Sequence, residues 1–441
     1  MKNKKTLGVI SLGCDKNRVD SEKLLASIFS DYIITPNISE AQIIVVNTCA
    51  FLESARREAI ETVLECNSYR TESKLEKLIM TGCLPQRFIE ELFDDLTEVD
   101  GFLGTFDYDL FNQTVFECYR GKRVNNVKKG SGGCGIRRTL TTPLHYAYLK
   151  IADGCNNKCT YCLIPSIRGK YFSESMEKLL EEAEGLGEVA ELILVAQDVT
   201  RYGTDLFGRP MIVPLLRELS KLDNVESIRL LYCYPDVIDD DLIAEIRDNK
   251  KIIKYLDIPL QHASDPVLKR MNRKGNMQSY LSLVNKLKEQ IPGIALRTTF
   301  IAGFPGETEE DVQVLTEFIK SANFHNAGFF AYSREEGTPA YRLPNQILKS
   351  VKNARVKQLY AVQKQISKQI LSQYKGKTLE VVCDGIDYGK QCFVGRAYFQ
   401  APDIDGKIYF KAKDDVVVNQ GEKYLVKITS VGAYDLRGRV L

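Results

Sequence analysis

Lys150-Ile-Ala-Asp-Gly-Cys155-Asn-Asn-Lys-Cys159-Thr-Tyr-Cys162-Leu-Ile-Pro165 places three thiols within eight residues on a glycine-led loop, directly after an apolar run that starts at Tyr146. Thiols this close in sequence can wrap one small metal centre, and thiolates are the ligands that iron–sulfur clusters require. A [4Fe–4S] cluster has four irons, so three cysteines leave one iron open, as catalytic metal sites do. Structural zinc is the rival reading. It needs a fourth ligand, and the whole chain holds only three histidines, His145, His262 and His325.

Beyond this loop, apolar runs recur near 191 to 196, 227 to 232, 255 to 260, 295 to 302 and 327 to 332, with helical stretches between them. With the run at 146 to 152 they predict six β/α units, a partial (β/α)6 barrel over residues 144–343, with active-site groups at the carboxyl ends of its strands. Residues 121–143, rich in Gly, Lys, Asn and Thr, read as a linker. Residues 1–120 show a second β-α-β rhythm, with runs at Leu7 to Leu12, Ile43 to Val46 and Leu78 to Thr81, which predicts an open parallel α/β sheet. Residues 344–375 carry helical spacing and read as a connecting helix. Residues 376–441 have short runs between Gly and Asp turns and read as a small all-β barrel.

Three more cysteines sit where that first sheet should end. Val9-Ile-Ser-Leu-Gly-Cys14, Val45-Val-Asn-Thr-Cys49 and Ile79-Met-Thr-Gly-Cys83 each run from an apolar stretch straight into a thiol. In an open α/β sheet the carboxyl ends of the strands share one crevice. There the three would converge as a second triad. Taken singly, each is a small buried hydrophobe; three at equivalent places favour ligands. Cys66, Cys118, Cys134, Cys233, Cys383 and Cys392 lack ligand-like spacing.

Composition bounds the rest. The chain has 441 residues, 44% of them hydrophobic and 27% charged, with a net charge of +2. That is a globular protein of about three domains without a strong overall field for nucleic acid or membrane. No apolar run approaches the roughly 20 residues that span a bilayer. Twelve cysteines in a chain without a secretion signal are expected to remain thiols. No Ser-His-Asp or paired-carboxylate constellation is present.

With the aromatic Tyr161 before its last cysteine, the Cys-x3-Cys-x2-Cys loop resembles the radical S-adenosylmethionine superfamily. Ser11-Leu-Gly-Cys-Asp-Lys-Asn-Arg-Val-Asp-Ser-Glu22, Asn47-Thr-Cys49 and Gly82-Cys-Leu84, together with that loop, resemble the methylthiotransferase family across essentially the entire chain. The first of these segments and Tyr332-Ser-Arg-Glu-Glu-Gly-Thr-Pro-Ala340 are similar to the RimO branch, which modifies a ribosomal protein. The tRNA-modifying MiaB branch typically reads "Tyr-Gly-Cys-Gln-Met-Asn" and has Arg-Pro before the later Gly-Thr.

The resemblance implies a cytoplasmic transferase with two [4Fe–4S] clusters. One, on Cys14, Cys49 and Cys83, would carry the sulfur to be transferred. The other, on Cys155, Cys159 and Cys162, would chelate S-adenosyl-L-methionine and cleave it to a 5′-deoxyadenosyl radical. The implied target is the β-carbon of an aspartate in the twelfth small-subunit ribosomal protein, free or within the ribosome, and a flavodoxin or ferredoxin would donate electrons. S-adenosylmethionine is implied near Tyr161, near Gln197 and Asp198, and near the turn at Gly303, with Gln261 and Arg297 as further candidates. Read from the residues alone, the Gly303 turn is equally a strand running into a helix cap. The last 66 residues resemble a TRAM domain, which implies RNA contact, although their Lys and Arg are balanced by Asp and Glu and leave protein recognition open. Two rivals stand beside this reading: a tRNA adenosine methylthiotransferase, and a two-cluster electron carrier without enzyme activity.

Overall fold

Six short strands build the first sheet: β1 (Thr6–Ser11), β2 (Ile33–Ile34), β3 (Ile43–Thr48), β4 (Lys77–Gly82), β5 (Gly101–Leu103) and β6 (Val124–Asn126). They lie parallel in the order β2-β1-β3-β4-β5-β6, so the winding reverses between β1 and β3. The computed structural model describes residues 4–105, 107–128, 137–413 and 416–441. β3 is buried along its whole length because helices cover both faces. Ile44, Val46, Leu78 and Met80 enter one core, and Ile43, Val45 and Ile79 the other. Such continuous Val/Ile runs, rather than alternation, are what a strand covered on both sides requires.

β5 and β6 were not legible as strands. Each has three residues, and Val124-Asn-Asn is polar; β6 forms because the main chain of β5 offers it a ladder. It falls in the segment 121–143 expected to be a linker, so the start of that segment completes the first sheet instead. Cys134, in the same segment, lies outside the described residues.

The second layer begins with β7 (Tyr146–Lys150) and a short antiparallel pair, β8 (Ala152–Asp153) with β9 (Phe172–Ser173), which pinches the base of the cysteine loop. β10 (Glu191–Val195), β11 (Ile228–Leu230), β12 (Ile252–Gln261), β13 (Ala295–Ala302) and β14 (Asn326–Ala331) follow. With β7 they form a parallel sheet in the order β14-β13-β12-β11-β10-β7, the six expected β/α units. A helix, Lys349–Ser372, packs on this sheet and leads to a closed five-stranded barrel of β15 (Thr378–Asp387), β16 (Cys392–Arg396), β17 (Ile408–Lys411), β18 (Lys423–Val431) and β19 (Leu436–Val440).

This carboxyl-terminal barrel shares a core with the central sheet. Tyr146, Tyr148, Ile193, Val195 and Tyr255 pack with Phe399, Ala401 and Ile408. At the seam, buried Glu191 accepts from both Arg229 and Arg396. Burial alone would raise the Glu191 carboxyl, but the two guanidinium groups overcome it and hold it down at about 2. Among the described residues no helix is long and apolar enough to cross a membrane.

A folded-state pKa below the unfolded value stabilises the fold above the unfolded value, and the gain is lost as pH falls through the folded one. The seam is therefore expected to hold from neutral pH down to the ordinary Glu range near 4 and to loosen as pH falls from there toward 2. Glu191→Ala, which leaves buried Arg229 without a carboxylate and Arg396 with Asp384 alone, is expected to cost about 3–5 kcal/mol. Limited proteolysis should then cut the variant after the helix Lys349–Ser372 under conditions where the parent resists.

Candidate active site

Cys14, Cys49 and Cys83 stand at the carboxyl ends of β1, β3 and β4, three adjacent strands at the point where the winding reverses, which is where open α/β sheets bind ligands. Cys14 precedes the helix Asp15–Ile28 and Cys83 opens the helix Cys83–Asp95, so both thiols sit at helix amino termini. Gly13, with φ +92°, allows the close approach: a Cβ there would stand 2.7 Å from the Cβ of Cys49. Asn17 braces the crevice. Its Nδ2 donates to the carbonyls of Leu12 (3.0 Å) and Thr48 (3.1 Å), and its Oδ1 faces the Cys83 thiol at 3.8 Å.

Burial pushes the Cys49 thiol up to about 12, and the facing thiols of Cys14 and Cys83 push it the same way. Burial also raises Cys83; Arg168 opposes that and Cys14 reinforces it. A metal centre takes such thiols as thiolates and releases their protons. Among the described residues no group of three His, Cys, Asp or Glu side chains is gathered tightly enough for a single ion. Three thiols at one crevice, each able to bind a separate iron, match the three-cysteine donor set of a [4Fe–4S] cluster.

The central triad is shaped by its own backbone. Gly154 has φ +71°, and a Cβ there would meet the Lys170 carbonyl oxygen at 2.2 Å. The Asn157 N–H donates to Cys155 Sγ and the Ile164 N–H to Cys162 Sγ, both at 3.4 Å, and the Tyr234 hydroxyl lies 3.3 Å from Cys159 Sγ. Burial pushes the Cys162 thiol up to about 12; the Ile164 N–H opposes this, and the Cys159 and Cys155 thiols add to it. The three cysteines face one another, as the first triad does.

Between the triads lies a buried network that the sequence reading missed. Arg168 Nη1 donates to Asp153 (2.7 Å) and Asp20 (3.0 Å), while its Nη2 donates to Asn17 Oδ1 (2.6 Å) and lies 3.5 Å from Cys83 Sγ. Lys150 pairs with Asp153 at 2.9 Å and also with Asp20. Asp153 further accepts from the Gly154 N–H and from Gln197 Nε2. Asp20, Lys150 and Asp153 stand beside the thiols in the two quoted segments, whereas Arg168 lies outside both.

The expected S-adenosylmethionine contacts divide into two groups. Tyr161 and Gln261 line one cavity of about 220 Å³ with Phe51, Leu52, Tyr332 and Glu335, so residues beside both triads share its walls. Gln197 Oε1 is buried without a hydrogen-bond partner among the described residues, an acceptor ready for a ligand. The others are already engaged. Asp198 accepts from Thr200 and Arg201, Arg297 donates to Asp257, and the Gly303 N–H donates to the Glu307 carboxylate.

Residues 149–319 match the Radical SAM superfamily, residues 6–104 the uncharacterized protein family UPF0004, and residues 376–441 the TRAM domain. The structure of the radical S-adenosylmethionine methyltransferase TsrM from Kitasatospora setae shares the fold, with a TM-score of 0.55 at 13% identity over 85% of this chain and 76% of that one. Fold and matches define a radical SAM enzyme. A relative from Clostridium tetani is 45% identical over 98% of this chain and 97% of its own length; one from Lachnoclostridium phytofermentans is 46% identical over 97% and 98%. Both are named ribosomal protein uS12 methylthiotransferase RimO. The chain belongs to the RimO family of radical SAM methylthiotransferases, whose cofactors are [4Fe–4S] clusters and S-adenosyl-L-methionine.

Arg168→Met would leave two buried carboxylates against Lys150 alone. An unpaired buried charge costs about 3–5 kcal/mol, so the variant is expected to melt well below the parent and to retain less iron. Arg168→Met combined with Asp20→Asn, which restores the balance, should regain most of the lost melting temperature in a calorimetric scan.

Proposed function

We propose that the enzyme adds a methylthio group to the β-carbon of an aspartate in ribosomal protein uS12. In this reading Cys14, Cys49 and Cys83 hold one [4Fe–4S] cluster, and Cys155, Cys159 and Cys162 hold a second that chelates S-adenosylmethionine. The observation that carries it is the pair of thiol triads on either side of one buried, charge-balanced network, in a chain about 45% identical over nearly its full length to relatives named for uS12.

When bound, the clusters and S-adenosylmethionine supply the one-electron chemistry, the sulfur and the methyl group that substitution at an unactivated carbon requires. The chain supplies placement and shielding. Arg168 sets a positive charge against the Cys83 thiolate, and Asn17 holds the loops of Cys14 and Cys49 at fixed separation. Phe51, Leu52 and Tyr332 wall the cavity with apolar surface and limit water, which protects a reactive site. Gln197, whose buried Oε1 is unpartnered among the described residues, would help hold S-adenosylmethionine, and Tyr161 and Gln261, which line the cavity, would do so too. Asp198 and Gly303 brace their own turns through Thr200, Arg201 and Glu307, and Arg297 pairs with Asp257 and Asp405. The carboxyl-terminal module meets the ribosome through RNA or protein, and the enzyme works in the cytoplasm with a flavodoxin- or ferredoxin-type electron donor.

The test is reconstituted, reduced enzyme incubated with S-adenosylmethionine and either uS12 or tRNA, followed by mass spectrometry of both. A methylthio gain on an aspartate of uS12, with none on tRNA, is the expected result. Gain on a nucleoside would move the enzyme to a tRNA substrate. Two full clusters without formation of 5′-deoxyadenosine would make it an electron carrier.

A further inference from the structure

Past the end of β11, Tyr232 and Tyr234 lie two residues apart and reach different neighbours. The Tyr232 hydroxyl donates to Asp15, next to Cys14, at 3.0 Å. The Tyr234 hydroxyl lies 3.3 Å from Cys159 Sγ. The sulfurs of Cys155 and Cys162 accept from main-chain N–H groups; Cys159 is the member of that triad whose sulfur meets a tyrosine hydroxyl.

The Tyr234 ring is held independently of that contact. The Arg273 guanidinium stacks 3.9 Å from the ring centroid and is itself buried, with Nη2 donating to the Pro259 carbonyl at 2.6 Å. A cation over the ring draws electron density from it, which makes the hydroxyl a stronger donor. The Pro235–Val237 turn directly after Tyr234 fixes the main chain. Removing the hydroxyl oxygen alone would leave the ring, the stacking and the turn in place.

We propose that Tyr234 is a tuning residue, whose hydroxyl donates a hydrogen bond to the Cys159 thiolate and raises the reduction potential of the cluster held by Cys155, Cys159 and Cys162. The inference rests on the reading that these three cysteines hold that cluster. The physical reason is charge. A reduced cluster carries one more negative charge than an oxidised one, and a donor aimed at a ligand sulfur stabilises the more negative state. The effect grows as water is excluded, and the three cysteines are partly shielded from solvent.

The experiment is an electron-paramagnetic-resonance redox titration of full-length holoenzyme, following the reduced-cluster signal that changes when S-adenosylmethionine is added. That response identifies the central cluster without dismantling the other. Tyr234→Phe, with iron content and melting temperature matched to the parent, is expected to titrate at a more negative potential. At the parent's midpoint its ratio of reduced to oxidised cluster should fall about tenfold, the equivalent of about 59 mV for a one-electron couple. Replacing Tyr234 with 3-fluorotyrosine, a stronger donor of nearly the same shape, should move the midpoint the other way, and this keeps the inference testable if the Phe variant loads poorly. Coincident midpoints for the parent and the fluorotyrosine protein, or for the parent and a fully loaded Phe variant, overturn the role of Tyr234 and leave the cluster assignment standing. A parent enzyme with no signal that responds to S-adenosylmethionine overturns both.

Discussion

Four charges buried together, those of Arg168, Lys150, Asp20 and Asp153, hold the two thiol triads in one frame. They come from three places in the chain: the helix after β1, the β7–β8 strand, and the loop after the central triad. Their sum is zero. Each would be expensive to bury alone, and the mutual attraction compensates only when all four are present with their hydrogen bonds satisfied. Arg168 completes the frame by reaching Asn17 and Cys83 with its second nitrogen. The first sheet therefore cannot shift against the central one without exposing or orphaning a charge.

This gives the segment Asp15-Lys-Asn-Arg-Val-Asp-Ser-Glu22 a physical meaning beyond its single cysteine neighbour. Lys16, Asn17, Asp20, Ser21 and Glu22 are all buried, which is abnormal for such residues on a helix. Lys16 places its ammonium 3.4 Å from the Tyr232 ring centroid, Asp20 enters the four-charge network, and Glu22 accepts from Thr141 and Arg138. Lys23 continues the pattern with a 3.0 Å pair to Glu182. The helix is written for a polar, charge-matched interface. Its two ends differ in function: the amino-terminal end presents Cys14, and the body docks the domain.

Much of this could be read from the chain before folding. Long β-branched runs such as Ile43 to Val46 announce strands because burial on both faces leaves no alternation to disguise them, and the thiols that follow them inherit a shared edge from parallel topology. The nearness of Cys14, Cys49 and Cys83 follows from that. What stayed hidden has a common cause, dependence on partners far along the chain. β5 and β6 exist through ladders supplied by neighbours. Arg168 looks like a surface charge until Asp20, 148 residues earlier, is folded against it. Asp198, Arg297 and Gly303 carry the right chemistry at the ends or inside of strands, yet their polar groups are engaged within the protein, and no sequence pattern separates a satisfied buried polar group from one left free for a ligand.

Arg297 shows what such an engaged residue does. Asp405, from the carboxyl-terminal module, lies 3.5 Å from its Nε, and Asp257 accepts from its Nη1 at 2.8 Å. Asp257 also accepts from the main-chain N–H of Tyr232, whose φ of +59° is unusual for a tyrosine, and the Tyr232 hydroxyl closes on Asp15. A continuous series of polar contacts thus runs from the carboxyl-terminal barrel, through the interior of the central sheet, to the loop of Cys14. Strain of this kind persists only where the surroundings over-determine it, and here it is fixed from three sides. The barrel packs Phe399 and Ala401 against the central sheet, and Asp405 pairs with Arg297 across the seam. The module therefore cannot pivot against the central sheet without breaking contacts that continue, through Asp257 and Tyr232, to Asp15 beside Cys14.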